Sequence, residues 1–139
     1  MDWLIRPLKH YADFSGRAPR REFWPFLVFA TLLTFAARLI DSAERTPLVM
    51  DMGALELGVS LALLAPTVAV SVRRLHDTGR NGWWTMLVYL PWLGTFAAYA
   101  YRPALVDIMT GALLIGGVAW LVMMALPGQP GRNAFGAPV

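Results

Sequence analysis

The chain has 139 residues, of which 57% are hydrophobic and only 15% are charged, so it has room for one domain and is too apolar for a soluble protein of this size. A net charge of +3 would suggest a nucleic-acid partner in a soluble protein, but here the basic residues flank apolar segments. Membrane lipids, especially anionic ones, are therefore the expected partners, and nucleic acid is not. With no cysteine and two histidines, the chain cannot form disulfides, thiolate metal sites or a histidine metal cluster, and no cofactor is expected.

The amino-terminal residues 1–22 hold five of the twelve basic residues, and Leu4, Leu8 and Tyr11 recur at helical spacing. This pattern predicts a short interfacial helix lying on the membrane surface. The apolar run that follows ends in charged residues rather than in a small-residue cleavage site, so we expect an uncleaved membrane anchor.

Four apolar segments follow, and each has the roughly 20 residues that a helix needs to cross the hydrocarbon core. Because a backbone in lipid must satisfy its own hydrogen bonds, and because the segments lack the alternation of barrel strands, the sequence predicts an all-α membrane protein. Its predicted fold is a four-transmembrane-helix bundle in residues 23–126, followed by an extended tail rich in Pro and Gly in residues 127–139. The predicted spans are residues 23–40, 53–72, 83–101 and 104–126.

Basic residues predict the orientation of these spans. Nine lie before the first span, between the second and third, or in the tail, against three, Arg38, Arg45 and Arg102, at the opposite ends. The positive-inside rule then places both termini and the central segment in the cytoplasm. The acidic loop 41–51 would face outward.

Only Arg102 and Pro103 join the third and fourth spans, which predicts a tight antiparallel hairpin. Small residues one turn apart would let the two backbones approach closely, and these are Gly94, Ala98, Ala112 and Gly116.

Two prolines, Pro66 and Pro91, fall inside predicted spans. Each should bend its helix and release a backbone carbonyl that a neighbouring group or water must satisfy.

Three motifs together resemble one known family. They are FSGRAPRREFW at 14–24, RRLHDTGRNGWW at 73–84 and GRNAFG at 131–136. They are similar to the bacterial inner-membrane family called domain of unknown function 805, and the likeness covers nearly the whole chain. The resemblance implies a small multi-pass protein of the bacterial inner (cytoplasmic) membrane with no established activity, and it supplies no catalytic residues.

Basic and aromatic residues gather at the predicted cytoplasmic boundary. Guanidinium groups pair bidentately with phosphate oxygens, and polybasic juxtamembrane segments are attracted to anionic lipid. The alternative is that these residues serve only as a topology signal and an aromatic belt. The candidates for binding a headgroup or a partner are Arg17, Arg20, Arg21, Trp24, Arg73, Arg74, His76, Asp77, Arg80, Trp83, Trp84, Arg132 and Asn133.

The adjacent His76 and Asp77 could suggest an acid–base pair. Neighbouring side chains on one turn rarely face each other, however, and no Ser or Cys nucleophile motif accompanies them. We expect instead that Asp77 pairs with an arginine or caps the next helix, and that His76 bonds a backbone carbonyl. The segment from Arg73 to Arg80 is expected to be a loop.

Three charged residues, Arg38, Glu56 and Asp107, fall inside the predicted spans, each near the outer end. Side chains at that depth can reach the interface, so a salt bridge among them or simple exposure is favoured over an ion path.

Three functions are compatible with these features. The leading hypothesis is a non-enzymatic membrane protein that binds anionic headgroups or a protein partner through the arginine- and tryptophan-rich face. The second is a transporter or channel, which would require a homo-oligomer because one four-helix bundle leaves little room for a lumen. The third is a lipid-modifying enzyme that uses His76 and Asp77.

Overall fold

The computed structural model of the chain describes residues 2–44, 47–49 and 52–138, and within them the protein is predominantly helical. Arg45 and Asp51, which belong to the predicted outward loop, lie outside the described residues. The helices and strands are α1 (Asp2–Lys9), α2 (Arg20–Glu44), β1 (Pro47–Val49), β2 (Met52–Gly53), α3 (Ala54–Asp77), α4 (Met86–Tyr101) and α5 (Val106–Ala125). Short 3-10 turns at Gly82–Thr85 and Pro103–Leu105 precede α4 and α5.

Three helical segments in the described part of the chain are long and apolar enough to cross a membrane, namely Arg20–Glu44, Ala54–Asp77 and Pro103–Ala125. The prediction of a helical membrane protein is therefore confirmed.

The second long helix continues past the predicted span. α3 ends at Asp77, five residues beyond the predicted boundary at residue 72. Residues 73–77 are therefore helical, and the expectation of a loop that begins at Arg73 is wrong. Hydropathy indicates where a helix leaves the lipid, but this helix continues to Asp77. Two residues later Gly79 adopts a φ of 77°, a conformation that is common just after the end of a helix and that costs glycine little.

The short antiparallel hairpin of β1 and β2 was not predicted. It pairs Pro47 with Gly53 and Val49 with Met52 and lies between α2 and α3.

The chain divides into two compact units, Met1–Ser15 with Arg21–Val70 and Gly16–Arg20 with Ser71–Val139. In the first unit, six residues of α2 are buried; one is Glu22, and the other five recur every three, four or seven positions and so lie on one helical face. They are Phe23, Phe26, Ala30, Ala37 and Asp41.

In the first unit, Tyr11 supplies the hydrogen bond that Pro66 cannot donate. The Tyr11 hydroxyl donates to the Ala62 carbonyl at 2.6 Å, and Ala62 lies four residues before Pro66, where the missing N–H would have pointed. This contact confirms that a neighbouring group satisfies a carbonyl released by proline.

Asp41, near the end of α2, caps the start of α3. Its two carboxylate oxygens accept the backbone N–H groups of Leu55 at 3.3 Å and Glu56 at 2.7 Å. These N–H groups belong to the first turn of α3, where no helical partner exists.

In the second unit, α4 and α5 form the predicted antiparallel hairpin. Gly94 lies against Met109, and Gly116 lies so close to the Leu87 carbonyl that a Cβ there would be 2.2 Å from its oxygen. Leu87 precedes Pro91 by four residues, so its carbonyl is the one that Pro91 leaves without a helical donor. The close packing at Gly116 confirms the prediction that small residues let these backbones approach.

Candidate functional site

Asp77, the last residue of α3, binds two arginines. One carboxylate oxygen accepts a hydrogen bond from Arg17 Nε at 3.0 Å, and the other accepts one from Arg74 Nη1. The side chains of Arg17 and Arg74 are 1% and 0% exposed, so this is a buried group of three charges, which we call the arginine clasp. It confirms the expectation that Asp77 pairs with an arginine.

The remaining N–H groups of Arg17 bind the tail that follows α5. Nη1 donates to the Gly131 carbonyl at 2.7 Å, and Nη2 donates to the Gln129 carbonyl at 2.5 Å. The backbone N–H of Gln129 in turn donates to the Asp77 carbonyl at 2.8 Å. Arg17 therefore joins the end of α3 to the tail through charge-assisted hydrogen bonds.

Arg74 binds the end of α5 in the same way. Its Nε donates to the Met124 carbonyl at 3.0 Å and its Nη2 to the Leu126 carbonyl, which also accepts Arg20 Nε at 3.1 Å. Carbonyls at a helix C-terminus lack helical donors and carry partial negative charge. The arginines supply both the donors and the positive charge.

His76 connects the same helix end to the rest of the tail. Its ring stacks on Phe135 with centroids 3.9 Å apart and planes 3° from parallel, and its Nδ1 lies 3.1 Å from the Gly16 carbonyl. This confirms the prediction that His76 bonds a backbone carbonyl. Asn133 Nδ2 donates to the His76 carbonyl at 2.9 Å.

The tail is folded back rather than extended over residues 133–136. Asn133 and Gly136 exchange two backbone hydrogen bonds, of 3.1 and 3.2 Å, so the expectation of an extended segment is wrong there. A Cβ on Gly128 would lie 2.1 Å from Asp77 Oδ2, so glycine lets the tail approach the carboxylate. The sequence pattern did not indicate that Gly128, Gln129 and Phe135 belong to this site, although Phe135 lies in the GRNAFG motif.

The other predicted arginines are placed differently. Arg20 and Arg132 are exposed and Arg80 is half-buried, whereas Arg73 is buried and its carbonyl accepts the Ala18 N–H at 2.9 Å. The second unit has six arginines besides Arg102 of the α4–α5 connection, and we call these six the arginine-rich end. They are Arg17, Arg20, Arg73, Arg74, Arg80 and Arg132. Along the described chain of that unit, Asp77 is their one acidic neighbour, because Asp107 lies at the start of α5.

Two predicted site residues belong to the first unit. Arg21 is exposed, and Trp24 is half-buried and packs edge-on against Phe23 with ring centroids 5.3 Å apart.

The paired tryptophans border an apolar groove of the second unit. Trp83 and Trp84 are 74% and 49% exposed, and they line a groove of about 640 Å³ together with Leu87, Leu90, Ile115 and Gly116. The groove therefore runs from the tryptophans along the α4–α5 hairpin.

His76 and Asp77 do not form an acid–base pair, because the arginines take both oxygens of Asp77 and His76 faces Gly16 and Phe135. Across the described residues, no three His, Asp or Glu side chains lie close enough to hold a metal ion. Arg38 and Glu56 form a salt bridge of 3.2 Å, and Asp107 is exposed. These three charges thus show the salt bridge and the exposure that were expected of them.

The fold and these buried charges define an integral membrane protein whose polar residues hold helix ends and tail together. The chain belongs to the family described as protein of unknown function (DUF805), whose model matches residues 11–137.

Three relatives from Escherichia coli strain K12 are similar over much of their length. The inner membrane protein YhaH is 31% identical over 98% of this chain and 94% of its own, and the inner membrane protein YhaI is 37% identical over 68% and 76%. The uncharacterized protein YiiR is 35% identical over 89% and 84%. No solved structure matches the chain. The named relatives and the apolar helices place this protein in the bacterial inner membrane.

Proposed function

We propose that this protein binds an anionic phospholipid at the arginine-rich end, with the phosphate on exposed arginines and an acyl chain in the tryptophan-lined groove. The observation that carries the proposal is the position of Arg80, three and four residues before Trp83 and Trp84, which line that groove. Phosphate at Arg80 would therefore lie beside an apolar path along α4 and α5.

The arginine clasp has a different role in this proposal. Arg17 and Arg74 are buried and their guanidinium groups bind Asp77 and backbone carbonyls, so they hold the site together instead of contacting the ligand. The residues that contact the headgroup in this proposal are Arg20, Arg80 and Arg132. Because Arg20 and Arg132 are exposed and the carboxylate of Asp77 is taken by Arg17 and Arg74, an anion at the surface of this end is electrostatically favoured.

Tryptophan suits the boundary between the two parts of such a ligand. Its indole ring packs against acyl chains while its N–H can donate to headgroup oxygens, which explains its enrichment at membrane interfaces.

The proposal includes a four-helix bundle with both termini in the cytoplasm. The sixteen residues of α4 and the four of the preceding 3-10 turn extend about 32 Å at about 1.5 and 2.0 Å per residue. This length is enough for α4 to cross the membrane in addition to the three longer helices. The amino-terminal α1 would lie at the cytoplasmic interface, where Arg6 is 3.6 Å from Glu22 at the start of α2. The arginine-rich end would then face the anionic inner leaflet.

Lipid retention tests the proposal. In native mass spectrometry of the purified protein, we expect Arg80→Ala/Arg132→Ala to weaken phosphatidylglycerol retention roughly thirtyfold, because each basic residue near anionic lipid contributes about 1 kcal/mol. Phosphatidylcholine retention should change little.

Arg102→Ala is the matched control, since Arg102 is an exposed arginine of the same unit at the α4–α5 connection. Equal phosphatidylglycerol retention by the double variant and the parent would refute headgroup binding at this end. A co-purifying protein lost with the double variant would instead identify a protein partner.

A further inference from the structure

The first unit contains a second cavity, of about 380 Å³, between α2 and the first part of α3. A volume of this order suits a small organic molecule. One face of α2 supplies most of the wall, and α3 supplies Glu56 and Thr67. The α2 residues are Leu27, Ala30, Thr31, Thr34, Phe35 and Arg38.

Glu56 has an unused hydrogen-bond acceptor in this wall. Its side chain is 7% exposed, and Oε1 accepts Arg38 Nη1 at 3.2 Å. Its Oε2 is fully buried and has no hydrogen-bond partner among the described residues. Because a buried carboxylate oxygen without a donor is costly, this position favours a ligand that donates a hydrogen bond.

The charges nearby favour a positively charged donor. Among the described residues, Arg38 is the basic residue of the cavity wall, whereas two buried carboxylates, Glu56 and Asp41, lie at this end of the unit and Glu44 there is exposed. The oxygens of Asp41 are taken by the backbone N–H groups that start α3. One further positive charge beside Glu56 would balance the group, whereas a neutral alcohol would leave the charge uncompensated and an anion would be repelled.

From this geometry we infer that the cavity binds a small primary ammonium compound with a short apolar substituent. The ammonium group donates to Glu56 Oε2. Thr31, whose hydroxyl donates to the Leu27 carbonyl at 2.9 Å, also lines the cavity. Leu27, Ala30 and the Phe35 ring contact the apolar part, and an aromatic face also attracts a cation. The inference is independent of lipid binding by the second unit.

Saturation-transfer NMR with n-butylammonium as the probe tests this site in the full-length protein in detergent micelles. We expect the parent to transfer saturation to the probe and Glu56→Gln to bind it at least tenfold more weakly, since a hydrogen bond to a charged group is lost. Glu44→Gln is the matched control, because Glu44 is exposed at the end of the same α2 helix. Thr34→Leu should also abolish binding by filling the cavity without changing its charges.

Butyrate, of similar size and opposite charge, should give no transfer. The inference is overturned if n-butylammonium gives no more signal than with empty micelles, if Glu56→Gln binds it as the parent does, or if butyrate binds equally well. The midpoint of thermal unfolding of each variant identifies a loss of binding that is due to unfolding. Should Glu56→Gln unfold, the folded Thr34→Leu variant decides the outcome.

Discussion

At the scale of single residues, Asp77 joins two buried arginines and the tail in the second unit. It opposes two buried guanidinium groups, and its backbone carbonyl accepts a hydrogen bond from the tail. Removing one member of a buried ionic group leaves the others without a counter-charge, which costs more than the pair contributes.

We expect Asp77→Asn to lower the free energy of unfolding by about 3–5 kcal/mol, because Arg17 and Arg74 keep their buried charges without a counterion. The tail should loosen as well, so trypsin should cut after Arg132 faster than in the parent.

Asp107→Asn is the control, since Asp107 is exposed and a surface change of this kind has an effect near zero. Unchanged tryptic cleavage in Asp77→Asn would show that the arginine clasp does not hold the tail.

Single residues also mark how far the sequence could predict the site. The chemical type of the partners of His76 and Asp77, a carbonyl and an arginine, could be predicted because a polar side chain that is partly or fully buried needs a hydrogen-bond partner. The particular residues, Gly16 and Arg17, lie sixty positions away in the chain, and no local pattern identifies them. The hydrogen bond from the Tyr11 hydroxyl to the Ala62 carbonyl also joins residues that are far apart in the chain.

At the scale of elements, the α4–α5 hairpin depends on close backbone approach. Its connection is too short for anything but antiparallel packing, which is why the sequence was sufficient to predict it. Charged residues from Arg73 onward predict a polar loop, but Arg73, Arg74 and Asp77 are buried in the last turns of α3. There Asp77 and Arg74 form hydrogen bonds with residues far away in the chain.

Gly116→Ala should disrupt the hairpin, because its Cβ would lie 2.2 Å from the Leu87 oxygen. Overpacking of this kind costs about 1–3 kcal/mol, and the midpoint of thermal unfolding in detergent measures the loss. Gly117→Ala is the control, since a Cβ there meets nothing within 4 Å. Equal midpoints for the two variants would contradict the close packing of α4 and α5.

At the scale of the whole molecule, hydropathy predicts a membrane protein, and the distribution of basic residues predicts its orientation. Both features can be obtained from the sequence alone. Hydropathy cannot predict the folded tail, because Pro and Gly give it no periodicity and its structure depends on arginines far away in the chain.

The orientation can be tested directly because the chain has no cysteine. Single cysteines replacing the exposed residues Ser42, Asn81 and Arg102 can be labelled in intact spheroplasts with a membrane-impermeant maleimide. We expect labelling at positions 42 and 102, and labelling at 81 only after lysis. If positions 81 and 102 reacted alike in intact spheroplasts, α4 would not cross the membrane.

The contacts of Arg17 with the tail and of Arg74 with the end of α5 also set an order of events during biosynthesis. Arg17 is synthesised before Gln129 and Gly131, and Arg74 before Met124 and Leu126, so the guanidinium groups lack these hydrogen-bond acceptors until translation has passed the last helix. The native hydrogen bonds of both arginines can therefore be completed only after the residues that follow α5 have been synthesised.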